Sequence, residues 1–509
     1  MTTSQHERVA DRTGRAVAER APRSATPLPV TPVPVTPLPA ARSARSAATR
    51  PGLLLGLVLT GQFMALLDVT VVNVAVPSIR LDLHASGAGL QLVIAGYGIA
   101  YAVLLITGAR LGERHGFTRL FLAGLALFTA ASLACGLAPT VGVLIGFRLV
   151  QGVGSALMVP QVMSLIQRTF TGPARVRALG VYSAVLAVGG VTGQVVGGTL
   201  VSADLFGWGW RPVFLVNVPI GLALLLVGGR LLPSVAGERT RQLDLTGLVL
   251  LALAIGALVT PLVLGHDEGW PAWCWALLAA GVVLFAAFVL VERALAAKGG
   301  HPLIHGRVLR APGLAPAAGA IFLVMTGVAG FSFAFALHLQ AGLGASALRS
   351  GLTVAPTMLG FGVAGLWWRR LPQRLHGSLP LLALVVGAAA FAVVGLLARD
   401  GHAVSWTQRA ALLVVGVAGG CAYSPLFARA LGSVAAEHAA DASGVMVTVL
   451  QLGQVVGVAA LGTLFLSRVR YPAAGPAASG TALAVTLGVV ALLMLGAAAL
   501  VRAVRGARG

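Results

Sequence analysis

The sequence predicts an all-α polytopic membrane protein with 14 transmembrane helices, arranged as two six-helix bundles with two inserted helices between them. Hydrophobic residues make up 57% of the 509 residues and charged residues only 10%, and the mean hydropathy is +0.90. This composition excludes a soluble globular protein. Apolar windows of about 20 residues, each long enough to cross a bilayer, recur after residue 51. One window is repeated later in the chain, which indicates two related halves.

Residues 1 to 51 differ from the rest of the chain. They are rich in Arg and contain the proline-rich run TPLPVTPVPVTPLPA. No apolar run in them is long enough for the core of a signal peptide, so we expect a disordered, basic cytoplasmic tail. A role in binding a partner or lipid is an open alternative.

Fourteen apolar windows follow the tail, separated by short loops rich in charge, proline or glycine. We predict spans at residues 53–76, 90–110, 119–138, 141–164, 177–201, 211–232, 245–265, 272–292, 314–339, 350–370, 378–398, 408–430, 444–467 and 482–503. The first bundle then occupies residues 52–232. The two inserted helices and a linker occupy 233–312, and the second bundle with a short basic tail occupies 313–509.

Basic residues indicate the orientation of these spans, because they collect on the cytoplasmic side of a membrane. An even number of spans places both basic tails on one side, together with the Arg-containing loops at 110–119 and 168–177. We therefore expect a multi-pass protein of the plasma membrane with both termini in the cytoplasm. The net charge of +21 comes from residues spread singly and in pairs between spans, so nucleic acid is not an expected partner.

An internal repeat supports the even count. The fifth span, GVYSAVLAVGGVTGQVVGGTL from Gly180, aligns without a gap with GVMVTVLQLGQVVGVAALGTL from Gly444 in the thirteenth. The same offset places spans 1 to 6 over spans 9 to 14 and leaves spans 7 and 8 as an insert. Repeated halves that enclose a site at the bilayer midplane are a common plan of transporters.

Two charged residues, Asp68 in the first span and Arg148 in the fourth, fall deep within the predicted bilayer, where an ionisable group is costly and usually functional. Asp68 lies roughly 16 Å and Arg148 roughly 12 Å from the outer ends of their helices, so the two side chains can meet. Arg stays charged, whereas Asp can take up a proton. We interpret the pair as a proton-coupling site, with a static ion pair that only joins helices as the alternative.

Several segments carry a family resemblance. They are LDVTVVNVAVPSI around Asp68, LIGFRLVQGVGSALMVP around Arg148, WRPVFLVNVPIG from Trp210, LDLTGLVLLAL from Leu243, LHLQ from Leu337 and SGVMVTVLQLGQVVG from Ser443. Together they resemble signatures of the major facilitator superfamily, and more narrowly its fourteen-span drug:proton antiporters, over essentially everything after residue 51. The resemblance implies efflux of drugs or antibiotics.

Two further segments resemble motifs of that family. The segment GARLGERHGFTR from Gly108 stands where the family has a cytoplasmic gating motif. The resemblance implies a conformational gate at Glu113 and Arg114, although Ala109, Phe117 and Thr118 depart from the usual pattern. An ordinary solvated loop is the alternative.

The fifth span carries Gly189, Gly193 and Gly197 at a spacing of four, which lines up small residues on one face for close helix packing. This stripe resembles the family's antiporter motif, in which a glycine is followed by proline. Here Gln194 occupies the proline position, so a packing stripe is expected and a kink is not.

Neutral polar residues within the spans are candidates for a substrate cavity. They are Asn73, Tyr97, Gln151, Gln161, Asn217, His338, Gln340, Gln451 and Gln454. Each one alone is also explained by a hydrogen bond between helices. No second deep acid accompanies them, which favours neutral, anionic or monocationic cargo.

We therefore expect a proton-coupled exporter of amphipathic small molecules that works by alternating access, and not an enzyme. Its partners are the small-molecule substrate, protons and the lipid bilayer, its energy source is the proton gradient, and no cofactor or metal is expected. We expect a monomer, and the Arg-for-Lys bias indicates a high-GC bacterial genome. The alternatives are a metabolite importer or facilitator of the same fold, or a transport-inactive membrane sensor or scaffold.

Overall fold

The computed structural model describes residues 51–232, 244–265, 268–298, 300, 311, 313–432, 434, 439–469 and 475–506, and no β-strand occurs among them. Long helices account for most of these residues. They are α1 (Pro51–Leu83), α2 (Gly87–His115), α3 (Phe117–Gly136), α4 (Val141–Thr169), α5 (Gly172–Ala203), α6 (Pro212–Leu231), α7 (Leu245–Leu264), α8 (Ala272–Ala297), α9 (Leu314–Gly342), α10 (Ala347–Arg370), α11 (Leu379–Ala398), α12 (Trp406–Gly432), α13 (Ala442–Leu466) and α14 (Pro476–Gly506).

Each predicted span coincides with one of these helices. Within the described ranges, 13 helices are long and apolar enough to cross a membrane. They do not include α5, which has 32 residues, so the crossing at 177–201 and the total of fourteen spans stay predictions. Residues 1–50 of the predicted tail 1–51 and the linker segments 233–243 and 301–310 lie outside the described residues, whereas Pro51 is the first residue of α1.

Buried charged side chains are not limited to Asp68 and Arg148. The helices α2 and α8 continue past the predicted span ends. As a result Arg110 and Glu292, the last residues of the predicted spans 90–110 and 272–292, lie inside helices and are each only 6% exposed.

Several helices begin at a side-chain cap that the sequence supplies. Ser86 accepts a hydrogen bond from the backbone N–H of Gly89 at the start of α2, and Asp244 accepts one from Gly247 at the start of α7. Such caps satisfy backbone N–H groups that have no partner within the helix. They explain why α2 and α7 start where a polar residue precedes an apolar run.

The packing of the helices follows the internal repeat. In the first half, α4 packs against α2 and α3, while α1 packs against α5. In the second half, α12 packs in the same way against α10 and α11, while α9 packs against α13. Contacts between the halves run from α5 to α10 and from α2 to α13, and α7 packs against α8 and α2. This pairing supports the two-bundle arrangement, whose domain boundaries stay a prediction.

The glycine stripe of α5 lies against α1. A Cβ atom at Gly193 would lie 1.8 Å from Thr70 Oγ1, and one at Gly197 would lie 3.1 Å from the Val71 Cα atom. A Cβ atom at Gly189 would likewise clash with the Leu66 side chain. Because the stripe carries no side chains, α1 approaches α5 closely and its Asp68 is held at a fixed depth.

The same contact recurs in the second half. Gly453 and Gly457 of α13, which the repeat aligns with Gly189 and Gly193, meet Phe322 and Thr326 of α9. In this contact they take the places of Leu66 and Thr70 of α1, in a register eight residues away from the ungapped offset between α5 and α13. The residue midway between Phe322 and Thr326 is Val324, so the second half has an apolar side chain where the first half has Asp68.

Candidate functional site

Asp68 lies near the middle of α1 and is completely buried. Its Oδ2 atom pairs with Nη1 of Arg148 from α4, which is itself only 1% exposed. The structure thus brings together the two charges that the sequence predicted to meet. Removing two charges from water is costly, and the pair is tolerated because each offsets the other's desolvation.

Neutral side chains complete the environment of the carboxylate. Gln151 donates a hydrogen bond from Nε2 to Asp68 Oδ1 at 2.7 Å, and its Oε1 accepts one from Arg148 Nη1 at 2.6 Å. Gln151 Nε2 also lies 2.8 Å from Ser132 Oγ of α3. Asn217 of α6 donates to Asp68 Oδ1 at 3.3 Å. Gln151 therefore bridges both members of the ion pair.

The guanidinium of Arg148 is fixed by further contacts. Its Nε donates to the backbone carbonyl of Val93 at 2.9 Å, and its Cζ lies 4.6 Å from the centre of the Tyr97 ring, a distance suited to a cation–π interaction. The Tyr97 hydroxyl in turn donates to Ser155 Oγ at 2.8 Å. Five helices, α1, α2, α3, α4 and α6, thus converge on one buried charge pair.

A cavity of about 260 Å³ lies beside this pair, close to the lower end of the range for small-molecule sites. Residues of α1, α2, α4 and α5 line it together with residues of α9 to α14, so both halves contribute. Its wall is mainly apolar. Arg148 and Tyr97 belong to the wall, whereas Asp68 lies behind them.

The predicted cavity residues divide into two groups. Asn73, Tyr97, Gln451 and Gln454 line this cavity.

The other five predicted residues do not line it and bond elsewhere. Gln151 and Asn217 hold Asp68, as described above. Gln161 donates to the Gly108 carbonyl at 2.9 Å and Gln340 to the Val74 carbonyl at 3.0 Å, while His338 Nδ1 lies 2.9 Å from Ser479 Oγ.

Sequence reasoning missed two features of the cavity. Gln194 of α5 lines it and is only 4% exposed, and Arg148 faces it in addition to pairing with Asp68. The signal for Gln194 was present, because a glutamine stands where the resemblance leads one to expect proline.

The predicted gate residues lie in the last turn of α2. Glu113 is partly buried, Arg114 is exposed, and the helix ends before Gly116, whose φ of 99° suits glycine. The segment is therefore helical through Glu113 and Arg114 and is not a loop.

Comparison with known proteins identifies the family. A sequence profile of the Major Facilitator Superfamily matches residues 58–458. The chain is 39% identical over 419 residues to a probable actinorhodin transporter of Streptomyces coelicolor, covering 81% of this chain and 72% of that protein. It is 34% identical to a tetracenomycin C resistance and export protein of Streptomyces glaucescens, covering 82% and 77%.

A solved structure shows the same fold. The crystal structure of a bacterial homolog of the human lysosomal transporter Spinster aligns with a TM-score of 0.64 at 19% identity, covering 90% of this chain and 98% of that one. The helical architecture, the profile match and these relatives agree. The chain belongs to the Major Facilitator Superfamily, a family of membrane transporters, and it is similar to bacterial exporters of antibiotics and drugs.

Proposed function

We propose that this protein is a secondary transporter that exports amphipathic small molecules in exchange for protons, with Asp68 as the proton-carrying residue and Arg148 as its coupling partner. The observation that carries the proposal is the position of the ion pair. Asp68 is buried, but Arg148, its partner, forms part of the cavity wall. Protonation of the acid therefore changes the electrostatic environment of the cavity.

In the ionised state, Asp68 holds Arg148 in the wall. The guanidinium is bound to the carboxylate, to Gln151 and to the Val93 carbonyl, and the cavity beside it is free for cargo. A proton on Asp68 removes the ionic partner while Arg148 keeps its charge. A guanidinium without a counter-ion favours polar surroundings, so it moves toward the cavity and disfavours cargo there.

This sequence of events makes proton and cargo mutually exclusive, which is what exchange requires. The coupling needs no cofactor, because each proton that enters down a membrane potential supplies about 2.3 kcal/mol per 100 mV. An exporter of this kind works in the plasma membrane as a monomer, with both termini in the cytoplasm.

Alternating access requires one end of the cavity to close while the other opens. Hydrogen bonds between the halves lie at the end where α1 stops. They join Gln340 to the Val74 carbonyl, the Leu348 N–H to Ser202 Oγ, and Gln91 to Thr463. The positive-inside orientation places this end outside, which supports a state closed to the exterior. Glu113 and Arg114 then lie at the inner end, where they act as the gate.

The names of the relatives support the class of cargo. The two proteins compared above are named for transport of actinorhodin and for resistance to and export of tetracenomycin C. We propose an antibiotic or a similar amphipathic compound as the cargo. A growth panel across toxic compounds, with and without expression, identifies a compound for the transport assays.

The test of coupling uses inverted membrane vesicles that carry Asp68→Asn. We expect this variant to lose gradient-driven uptake of the protective compound at normal protein level, because an amide cannot carry the proton. Asp82→Asn is the matched control. Asp82 lies on the same helix, but at its exposed end, where it accepts from Trp210 and Arg211. Retained gradient-driven uptake in Asp68→Asn would remove the coupling role.

Two further experiments distinguish export from import and from a scaffold function. Dissipating the proton gradient in intact cells raises the internal level of an exported compound and lowers that of an imported one. Deleting the tail, residues 1–51, leaves a transporter active, whereas a scaffold that works through its tail loses its function.

A further inference from the structure

Three glutamine side chains on the cavity wall have no hydrogen-bond partner among the described residues. They are Gln194 of α5 and Gln451 and Gln454 of α13. Gln194 and Gln451 are only 4% and 6% exposed. Gln451 and Gln454 lie three residues apart on one helix and so share a face.

Most other polar groups of the wall are satisfied within the protein; an exception in the described lining is Thr357, whose Oγ1 has no hydrogen-bond partner. Tyr97 donates to Ser155, Thr70 to the carbonyls of its own helix, and Ser332 to Val328. The free hydrogen-bonding capacity of the described wall therefore lies mainly in the carboxamides, with the Thr357 hydroxyl beside them. Each carboxamide offers two donor hydrogens and one acceptor oxygen. Because these carboxamides line an otherwise mainly apolar cavity without a protein partner, they are free to pair with the polar groups of a ligand.

Arg148 adds one more donor. Its Nη1 and Nε atoms are engaged, whereas Nη2 makes no hydrogen bond to the part of the chain that the structure describes. Arg148 is also the only charged residue in the described lining of this cavity, which contains no Asp or Glu. A cationic cargo would find no counter-ion in this wall.

An anionic cargo conflicts with the coupling for a different reason. When Asp68 is protonated, the released guanidinium would bind an anion more tightly. Proton and cargo would then bind together, which opposes exchange. An uncharged cargo avoids both difficulties.

We propose that the cargo is an uncharged amphipath whose apolar body carries several carbonyl or hydroxyl oxygens, and that Gln194 is the residue that selects for it. The proposal rests on the proposed function of this same cavity. The amides of Gln194, Gln451 and Gln454, together with Arg148 Nη2, bind the oxygens, and the apolar wall receives the body of the molecule. Proline at position 194 would supply no such group.

The test measures binding to purified protein by fluorescence titration with two probes. The first is 1,8-dihydroxyanthraquinone near neutral pH, where it is mainly uncharged and presents four oxygens. The second is tetraphenylphosphonium, an apolar cation. We expect the wild-type protein to bind the quinone at least tenfold more tightly than the cation.

Substitutions of Gln194 then test whether this residue causes the preference for the quinone over the cation. Gln194→Met keeps the shape without the amide, and we expect roughly tenfold weaker quinone binding, the loss of one good hydrogen bond, with cation binding unchanged. Gln194→Glu places a carboxylate in the wall, and we expect it to tighten cation binding more than tenfold while weakening quinone binding. Gln62→Met is the matched control, because Gln62 is a buried glutamine of α1 outside the cavity lining.

Two results would overturn the proposal. One is wild-type protein that binds the cation as tightly as the quinone. The other is a pair of properly folded Gln194 variants that keep the wild-type preference. Binding is measured without a proton gradient, so its outcome is separate from the vesicle assay of Asp68→Asn. If the vesicle assay disproves proton coupling at Asp68, the binding result still stands. If the binding assay disproves the selectivity of Gln194, proton coupling at Asp68 still stands.

Discussion

Arg148→Met is expected to destabilise the protein by about 3–5 kcal/mol, because it leaves the fully buried carboxylate of Asp68 without its counter-ion. Gln151 and Asn217 still donate to Asp68, but neutral donors do not balance a charge at this depth. Thermal unfolding of the purified protein in detergent measures the loss, and transport is lost as well.

The double variant Asp68→Asn with Arg148→Met distinguishes the lost charge balance from poor packing. It contains no buried charge at this position, so we expect it to recover most of the stability while remaining uncoupled from protons. Arg211→Met is the surface control. Its pair with Asp82 is partly exposed, and such pairs contribute about 0–1 kcal/mol. A double variant as unstable as Arg148→Met would show that packing of the arginine, not its charge, holds the site.

Gly152→Leu and Gly416→Leu are expected to prevent formation of a folded, monodisperse protein. A Cβ at Gly152 of α4 would lie 2.4 Å from the Tyr97 carbonyl oxygen of α2, and one at Gly416 of α12 would lie 1.9 Å from the Thr357 carbonyl oxygen of α10. The neighbours are backbone atoms, so relief requires the helices to separate. Overpacking usually costs about 1–3 kcal/mol, and a whole side chain against backbone costs more.

The matched control is Gly146→Leu, a position on α4 with no atom within 4 Å of the added Cβ. Size-exclusion chromatography of the three variants gives the comparison. Folded protein from Gly152→Leu would show that α2 and α4 have room for a side chain at position 152. The two buried glycines occupy equivalent positions of the repeat, so equal sensitivity also supports the two-bundle arrangement.

The sequence predicted the positions of the helices well, because each apolar window has the length that a bilayer requires. Polar caps such as Ser86 and Asp244 precede the windows of α2 and α7. The sequence also predicted that Asp68 and Arg148 meet, since depth along two helices follows from residue counting. It was less successful at assigning the faces of the helices.

The faces of the helices are hard to assign because these helices are surrounded by lipid and not by water. In a bilayer, lipid-facing and packed surfaces are both apolar, so no amphipathic period shows which way a residue points. Gln151 and Gln454 therefore looked alike in the sequence, yet one holds Asp68 and the other lines the cavity. Gln194 was seen only as a departure from a motif, and its place on the wall required the crossing of α5 with α1 and α10.

The most direct test of proton exchange at Asp68 is a measurement of proton movement in proteoliposomes that contain a trapped pH-sensitive dye. The liposomes start without a pH gradient, and the compound identified by the growth panel is imposed as an outward gradient. In the wild-type protein, outflow of the compound should draw protons inward and acidify the lumen. In Asp68→Asn, which cannot carry the proton and leaves Arg148 without a counter-ion, the luminal pH should not change. Acidification by the Asp68→Asn variant at the wild-type rate would contradict the account.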